Sequence, residues 1–179
     1  MDLALVGSTN TTLHIPAIAH AAEVDVTLDD FDRLSRKTPQ LTSMRPSGEH
    51  MMEDLEWAGG VPAVMRVLAP LLHQGCRNVA GTTVRDVIRH APKGDPKVIH
   101  PLDQPVAPEG GIAVLKGSLA PEGAVVKSGA VAAEMMVHAG PARVFGREEE
   151  ALAAILEGRI APGDVVVIRY EGPKGGPGM

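Results

Sequence analysis

Through the first half of the chain, apolar positions recur at helical spacing. Leu13, Ile15, Ala17 and Ile18 follow Ser8, Thr9 and Asn10, residue types that cap helix N-termini. Pro16 falls in the first turns of this segment, where its ring removes an amide donor and weakens the prediction. Thr27-Leu-Asp-Asp30 is a Thr-x-x-Asp capping pattern, and Leu28, Phe31 and Leu34 recur behind it. Asp29 and Asp30 at its start and Arg33, Arg36 and Lys37 at its end suit the helix dipole, and Thr38-Pro39 stops it. After a turn at Arg45-Pro-Ser-Gly48, Met51, Met52, Leu55 and Ala58 mark a helix closed by Gly59-Gly60. Pro62 opens the next, with Val61, Val64, Met65 and Leu68 inward. Thr82 or Thr83 caps a last short helix with Val84, Val87 and Ile88, which ends before Pro92.

The pattern changes between Pro92 and Pro108. Prolines 92, 96, 101, 105 and 108 forbid a helix there and predict a domain boundary, with 1–95 on one side and 96–179 on the other. Beyond it, short apolar runs bounded by Gly and Pro predict strands at Ile112–Leu115, Ala124–Lys127, Ala142–Phe145 and Val165–Tyr170. The turns Ala107-Pro-Glu-Gly110, Ala120-Pro-Glu-Gly123 and Ala161-Pro-Gly-Asp164 reuse one chemistry, because Pro fixes φ and Gly accepts a positive φ. One helix interrupts: Glu148 to Glu150 in its first turn, Ala151, Leu152, Ile155 and Leu156 on one face, Gly158 after its end. The predicted class is α+β.

Composition narrows the function. Aromatics are 2% of the residues, so the core is aliphatic and a base-stacking platform is excluded. The net charge of -5 argues against nucleic acid. No apolar run spans a membrane, and MDLALVGSTN is not a signal peptide, so the cytoplasm is the expected location. Cys76 is the one cysteine: no internal disulfide forms, and one thiolate does not hold an iron–sulfur cluster or a structural zinc.

Candidate chemistry is sparse. Gly7-Ser-Thr-Asn10 before a helix offers an anion site, since amides and dipole favour a carboxylate or phosphate there; by residue type alone, capping is the simpler account. Gly172-Pro-Lys-Gly-Gly-Pro-Gly178 is not a Walker loop. Gly175, Gly176 and Gly178 let a ligand approach the backbone and Lys174 pairs with anions, yet the same composition describes a flexible tail. The seven histidines do not cluster, and His14 and His20 point to different sides of a helix. Cys76 reads as a turn or buried residue, Glu53, Asp54 and Glu56 as a solvated face, and Glu148 to Glu150 as dipole compensation.

Several strings, in order, resemble the dihydroxy-acid dehydratase family. They are Gly7-Ser-Thr-Asn10 with Ala17-Ile-Ala-His20, Thr27-Leu-Asp-Asp-Phe-Asp32, Arg45-Pro-Ser-Gly48, Met52-Glu-Asp-Leu55 and Ala58-Gly-Gly-Val-Pro-Ala63. Pro101-Leu-Asp103, Ala113-Val-Leu-Lys-Gly117, Gly123-Ala-Val-Val-Lys127, Gly140-Pro-Ala-Arg-Val-Phe145 and the stretch from Gly163 to Met179 continue the set. Sugar-acid dehydratases share the superfamily. The resemblance implies a parent hydro-lyase, a homodimer, that converts 2,3-dihydroxy acids into 2-keto acids in branched-chain amino-acid synthesis. It implies an iron–sulfur cluster, magnesium and a serine alkoxide base. By the same resemblance the cluster cysteines and a modified metal-binding lysine precede Met1, and a metal-binding glutamate and the serine follow Met179. Neither cofactor is then expected on this chain, no catalytic residue is assigned to it, and Ser8, Thr9, Asn10, Lys174, Gly175 and Gly176 are its substrate-binding candidates. The fold implied is the helical end of an α/β domain followed by the first part of a β-rich, barrel-like swivelling domain, cut within the loop after the last strand. Val6 stands where the family often has glycine, and Trp57 where a small or polar residue is usual.

The expectation is therefore an inactive internal piece of a dehydratase, with exposed apolar edges and a tendency to self-associate. A stand-alone module that binds small acids, motivated by the Lys174 loop, and a structural domain with no site are the other readings.

Overall fold

The computed structural model describes residues 1–172 and has both helices and strands, an α+β chain. It divides into two compact units, Met1–Val131 and Ala132–Met179.

The first unit holds six helices, α1 (Asp2–Leu5), α2 (Thr11–Ala21), α3 (Leu28–Ser35), α4 (Met52–Trp57), α5 (Gly60–Val67) and α6 (Val84–His90), and a hairpin of β1 (Ala113–Leu115) and β2 (Ala124–Val126). Its core gathers Ala4, Leu41, Met44, Leu55, Ala58, Ala63, Val64, Leu68, Val98 and Ile99. Of the residues expected inward, Leu55, Ala58, Val64 and Leu68 are there, set on one side of α4 and α5 by the 3.6-residue period, whereas Met51, Met52 and Val61 are exposed and Met65 is half-buried. Between those helices Gly59 and Gly60 take φ of 110° and 65°, a conformation that costs side-chain-bearing residues free energy. The capping pattern before α3 forms: the Asp30 carboxylate accepts the Thr27 amide and hydroxyl, each at 3.0 Å.

The proline-rich segment folds back on this helical layer. Backbone bonds join His100 to Leu41 (2.8 Å), Val106 to Gln40 (2.9 Å) and Gln40 to Ala107 (3.0 Å), and Val98 and Ile99 enter the core. Gly110 and Gly111 donate to Ser35 and Leu3, and a Cβ on Gly111 would stand 2.6 Å from a Val6 methyl carbon. β1 and β2 then pair antiparallel with Ala113 opposite Val126 and Leu115 opposite Ala124.

The second unit is built on β3 (Ala142–Phe145), α7 (Glu148–Leu156) and β4 (Val165–Ile168). The strands are parallel, Ala142 opposite Val165 and Phe145 opposite Ile168, joined by the helix as a parallel pair requires. On α7 the residues buried are Ala151 and Ala154, while Leu152, Ile155 and Leu156, expected on the covered face, are 53%, 53% and 78% exposed. Two strands offer a narrow surface, and the small alanines let the helix sit close to it. Among the described residues the sheets are two separate strand pairs, with no closed barrel.

Candidate functional site

Ser8, Thr9 and Asn10 come together as the turn that starts α2, with Ser8 exposed and its neighbours half-buried. The Asn10 amide donates to Ser8 Oγ (3.1 Å), and the Thr11 and Thr12 amides donate to the Ser8 and Thr9 carbonyls, each at 3.1 Å. Asp2 supplies a carboxylate here: Thr11 Oγ1 donates to its Oδ2 at 2.9 Å, and its Oδ1 lies against the bare Cα of Gly7. A negative group near a helix N-terminus is favoured by the dipole, so the turn already has an acid beside it. Lys174, Gly175 and Gly176, with Gly178, lie outside the described residues.

An open cleft of about 600 Å³ lies between Met1–Leu3, Ile15 of α2 and residues from Asp25 to Leu34, which the sequence did not signal because it joins segments distant along the chain. Ile15, Phe31 and Leu34 form its apolar wall, and Asp25, Asp30 and Arg33 its polar side. Arg33 Nη2 donates to Asp30 Oδ1 at 2.7 Å. That bond, with the two from Thr27, holds the Asp30 carboxyl at a pKa of about 2.

The other acids act locally. Asp54 accepts the Met51 amide (2.7 Å), Glu150 the Gly146 amide (3.1 Å) and Glu171 the Glu148 amide (3.1 Å), so these carboxylates serve helix ends. Thr83 caps α6: its hydroxyl accepts the Asp86 amide at 3.2 Å while Asp86 accepts the Thr83 amide at 2.9 Å. The Thr83 hydroxyl, which also donates to Asp86 Oδ2 at 2.7 Å, and then the Thr83 amide lower the Asp86 pKa. Asp164 is held low by the Ala161 amide and then by Arg143, 2.9 Å away. Cys76 lies exposed in a turn, its amide on the His73 carbonyl and its carbonyl on the Val84 amide.

The described residues do not fit the cofactors that the resemblance implies. A cluster needs several thiolates and the chain has one, and among the described residues no group of three His, Cys, Asp or Glu side chains converges to form an all-protein metal cage. No described helix is long and apolar enough to cross a membrane.

Two family models match the chain. The dihydroxy-acid/6-phosphogluconate dehydratase N-terminal model covers residues 1–87 and the corresponding C-terminal model residues 97–179. Among curated proteins, the chain is 58% identical over 182 residues to a dihydroxy-acid dehydratase of Methanothermobacter thermautotrophicus, spanning 100% of this chain and 33% of that protein. It is 56% identical to the protein of that name from Methanothrix thermoacetophila and 53% to one from Dehalococcoides mccartyi, over 100% of this chain and 33% and 32% of theirs. The chain thus spans about a third of the length of the curated relatives it matches.

Proposed function

Because the chain belongs to the dihydroxy-acid/6-phosphogluconate dehydratase family, we propose that it serves a hydro-lyase that turns 2,3-dihydroxy acids into 2-keto acids for branched-chain amino-acid synthesis, and that alone it is inactive. The observation that carries the substrate class is its 53–58% identity, over its whole length, to proteins named dihydroxy-acid dehydratase. The inactivity follows from chemistry. Dehydration needs a base for the α-proton and a Lewis acid for the departing hydroxyl. The carboxylates Asp54, Asp86, Glu150 and Glu171 are engaged with helix-end amides, and residues 1–172 hold one thiolate and no convergent group of three metal-ligating side chains. In this reading the cluster and magnesium belong to the complete enzyme, a cytoplasmic homodimer, on residues this chain does not contain, where they supply the Lewis acid.

What the chain contributes is the substrate-facing frame. Ser8, Thr9 and Asn10 begin an eleven-residue helix, whose partial positive charge suits a substrate carboxylate, and Lys174 with Gly175 and Gly176 matches an anion-contacting loop by composition. Asp2 competes at the first of these, so a substrate carboxylate at this turn requires the Thr11–Asp2 bond to open.

A chimera of the Methanothermobacter protein, its matched segment replaced by this chain, tests the reading. It is expected to dehydrate a 2,3-dihydroxy acid and to leave 6-phosphogluconate unchanged. The opposite preference would move the chain to the sugar-acid branch, and a folded chimera inert toward both would remove the hydro-lyase reading.

A further inference from the structure

The proline-rich segment, residues 92–101, folds against α5 and forms a small cleft with it. Asp95 pins the turn. Its amide donates to the Ala58 carbonyl at 3.1 Å, and its carbonyl accepts the Val98 and Ile99 amides at 3.1 and 2.8 Å. Ala63, Arg66 and Val67, three and four residues apart, share one face of α5 and line, with Ile99 and Pro101, a space of about 210 Å³. The floor is apolar: Ala63 and Ile99 are buried, Val67 and Pro101 half-buried. Gly94 brings bare backbone to it, since a Cβ there would stand 3.3 Å from Ile99 Cδ1. Two exposed cations also line the cleft, Arg66 and Lys93. Arg66 Nη1 donates to the Ala91 carbonyl at 2.7 Å, which fixes the guanidinium there with one of its five donors. Among the described residues neither cation takes part in an ion pair. The acid next to them in sequence, Asp95, accepts the Lys97 amide at 2.9 Å and does not line the cleft.

We propose that this cleft binds a small monocarboxylate with a short branched aliphatic body, the carboxylate on Arg66 and Lys93 and the methyl groups against Val67 and Ile99. Charge, polarity and volume select that class. Two cations without an acid partner call for an anion, and a guanidinium pairs well with a carboxylate. The apolar floor rewards a hydrocarbon body, which a bare inorganic anion does not offer. The space of about 210 Å³ equals about seven waters at ~30 Å³ each, room for a similar number of non-hydrogen atoms and too little for a nucleotide. The cleft is built wholly within the unit Met1–Val131, and the inference does not depend on the hydro-lyase reading.

The probe is 3-methylbutanoate, titrated near neutral pH into the nitrogen-15-labelled 179-residue chain and followed by amide chemical shifts. Saturable shifts are expected at Val67, Gly94 and Ile99, with a dissociation constant of roughly 1 mM. Acetate, without the branched body, and 3-methylbutanamide, without the charge, should each bind at least about tenfold more weakly. Lys93→Gln alters an exposed side chain, so the melting midpoint stays unchanged while 3-methylbutanoate binds about fivefold more weakly; Lys93→Arg restores the binding. Absence of saturable shifts at these three amides, equal binding of acetate or inorganic phosphate, or full binding by Lys93→Gln would overturn the proposal. So would shifts confined to residues 8–12, which would put the acid at the α2 turn, or a spectrum without the dispersion of a folded chain. A chimera that fails to dehydrate a dihydroxy acid leaves this site standing, and loss of this site leaves the hydro-lyase reading standing.

Discussion

Asp30 shows what a short sequence pattern fixes. Thr27-x-x-Asp30 was legible as a cap because its partners are three residues apart, and the two hydrogen bonds at 3.0 Å follow from helix geometry alone. Arg33, one turn on, adds the bond that chiefly holds the carboxyl down, at about 2 against an ordinary 3.8. A folded-state pKa below the unfolded one means the stabilisation is complete above about pH 4 and is lost as the pH falls toward 2. A carbon-detected NMR titration should find the Asp30 midpoint near 2, with Arg33→Gln moving it upward; a wild-type midpoint near 4 would show that the pair does not form in solution. The contact of Asp2 with Thr11 and Gly7 was not legible. It spans nine residues and depends on the chain reversing between α1 and α2, which no local pattern encodes. By residue type Gly7-Ser-Thr-Asn10 offered an anion site, with capping the simpler account; in the structure the Asn10, Thr11 and Thr12 amides are paired within the turn, as the simpler account has it.

At the scale of elements, location was readable and partnership was not. Ala142–Phe145 forms the strand its apolar run predicts, and Glu148–Leu156 the helix between two strands. Their parallel pairing is a non-local outcome, and it decides which face of α7 is covered: Ala151 and Ala154, with Leu152 and Ile155 outward. Both apolar stripes exist in the sequence, and periodicity alone does not choose between them. The caps are better determined. Thr83→Ala removes the acceptor of the Asp86 amide and should cost about 1 kcal/mol in urea unfolding, the usual worth of a cap. Thr83→Ser should restore most of it, and an unaltered transition in Thr83→Ala would mean that α6 is frayed.

At the scale of the whole molecule, family membership is plain, while the described residues hold no convergent group of three metal-ligating side chains. The ordered strings along the chain revealed the family because each is a local signature, and the match extends over both family models. The reacting groups were not legible as a site here, and the described acids serve amides and arginines instead. Apolar residues also stand exposed on α2 (Leu13, Ile15 and Ile18) and on α7 (Leu152, Ile155 and Leu156). The most direct test is the simplest assay. The purified 179-residue chain, supplied with magnesium and a reconstituted iron–sulfur source, is incubated with a 2,3-dihydroxy acid, and 2-keto acid is measured against a protein-free control. The account predicts no product above that control. Sustained 2-keto acid formation, proportional to the amount of chain added, would contradict it.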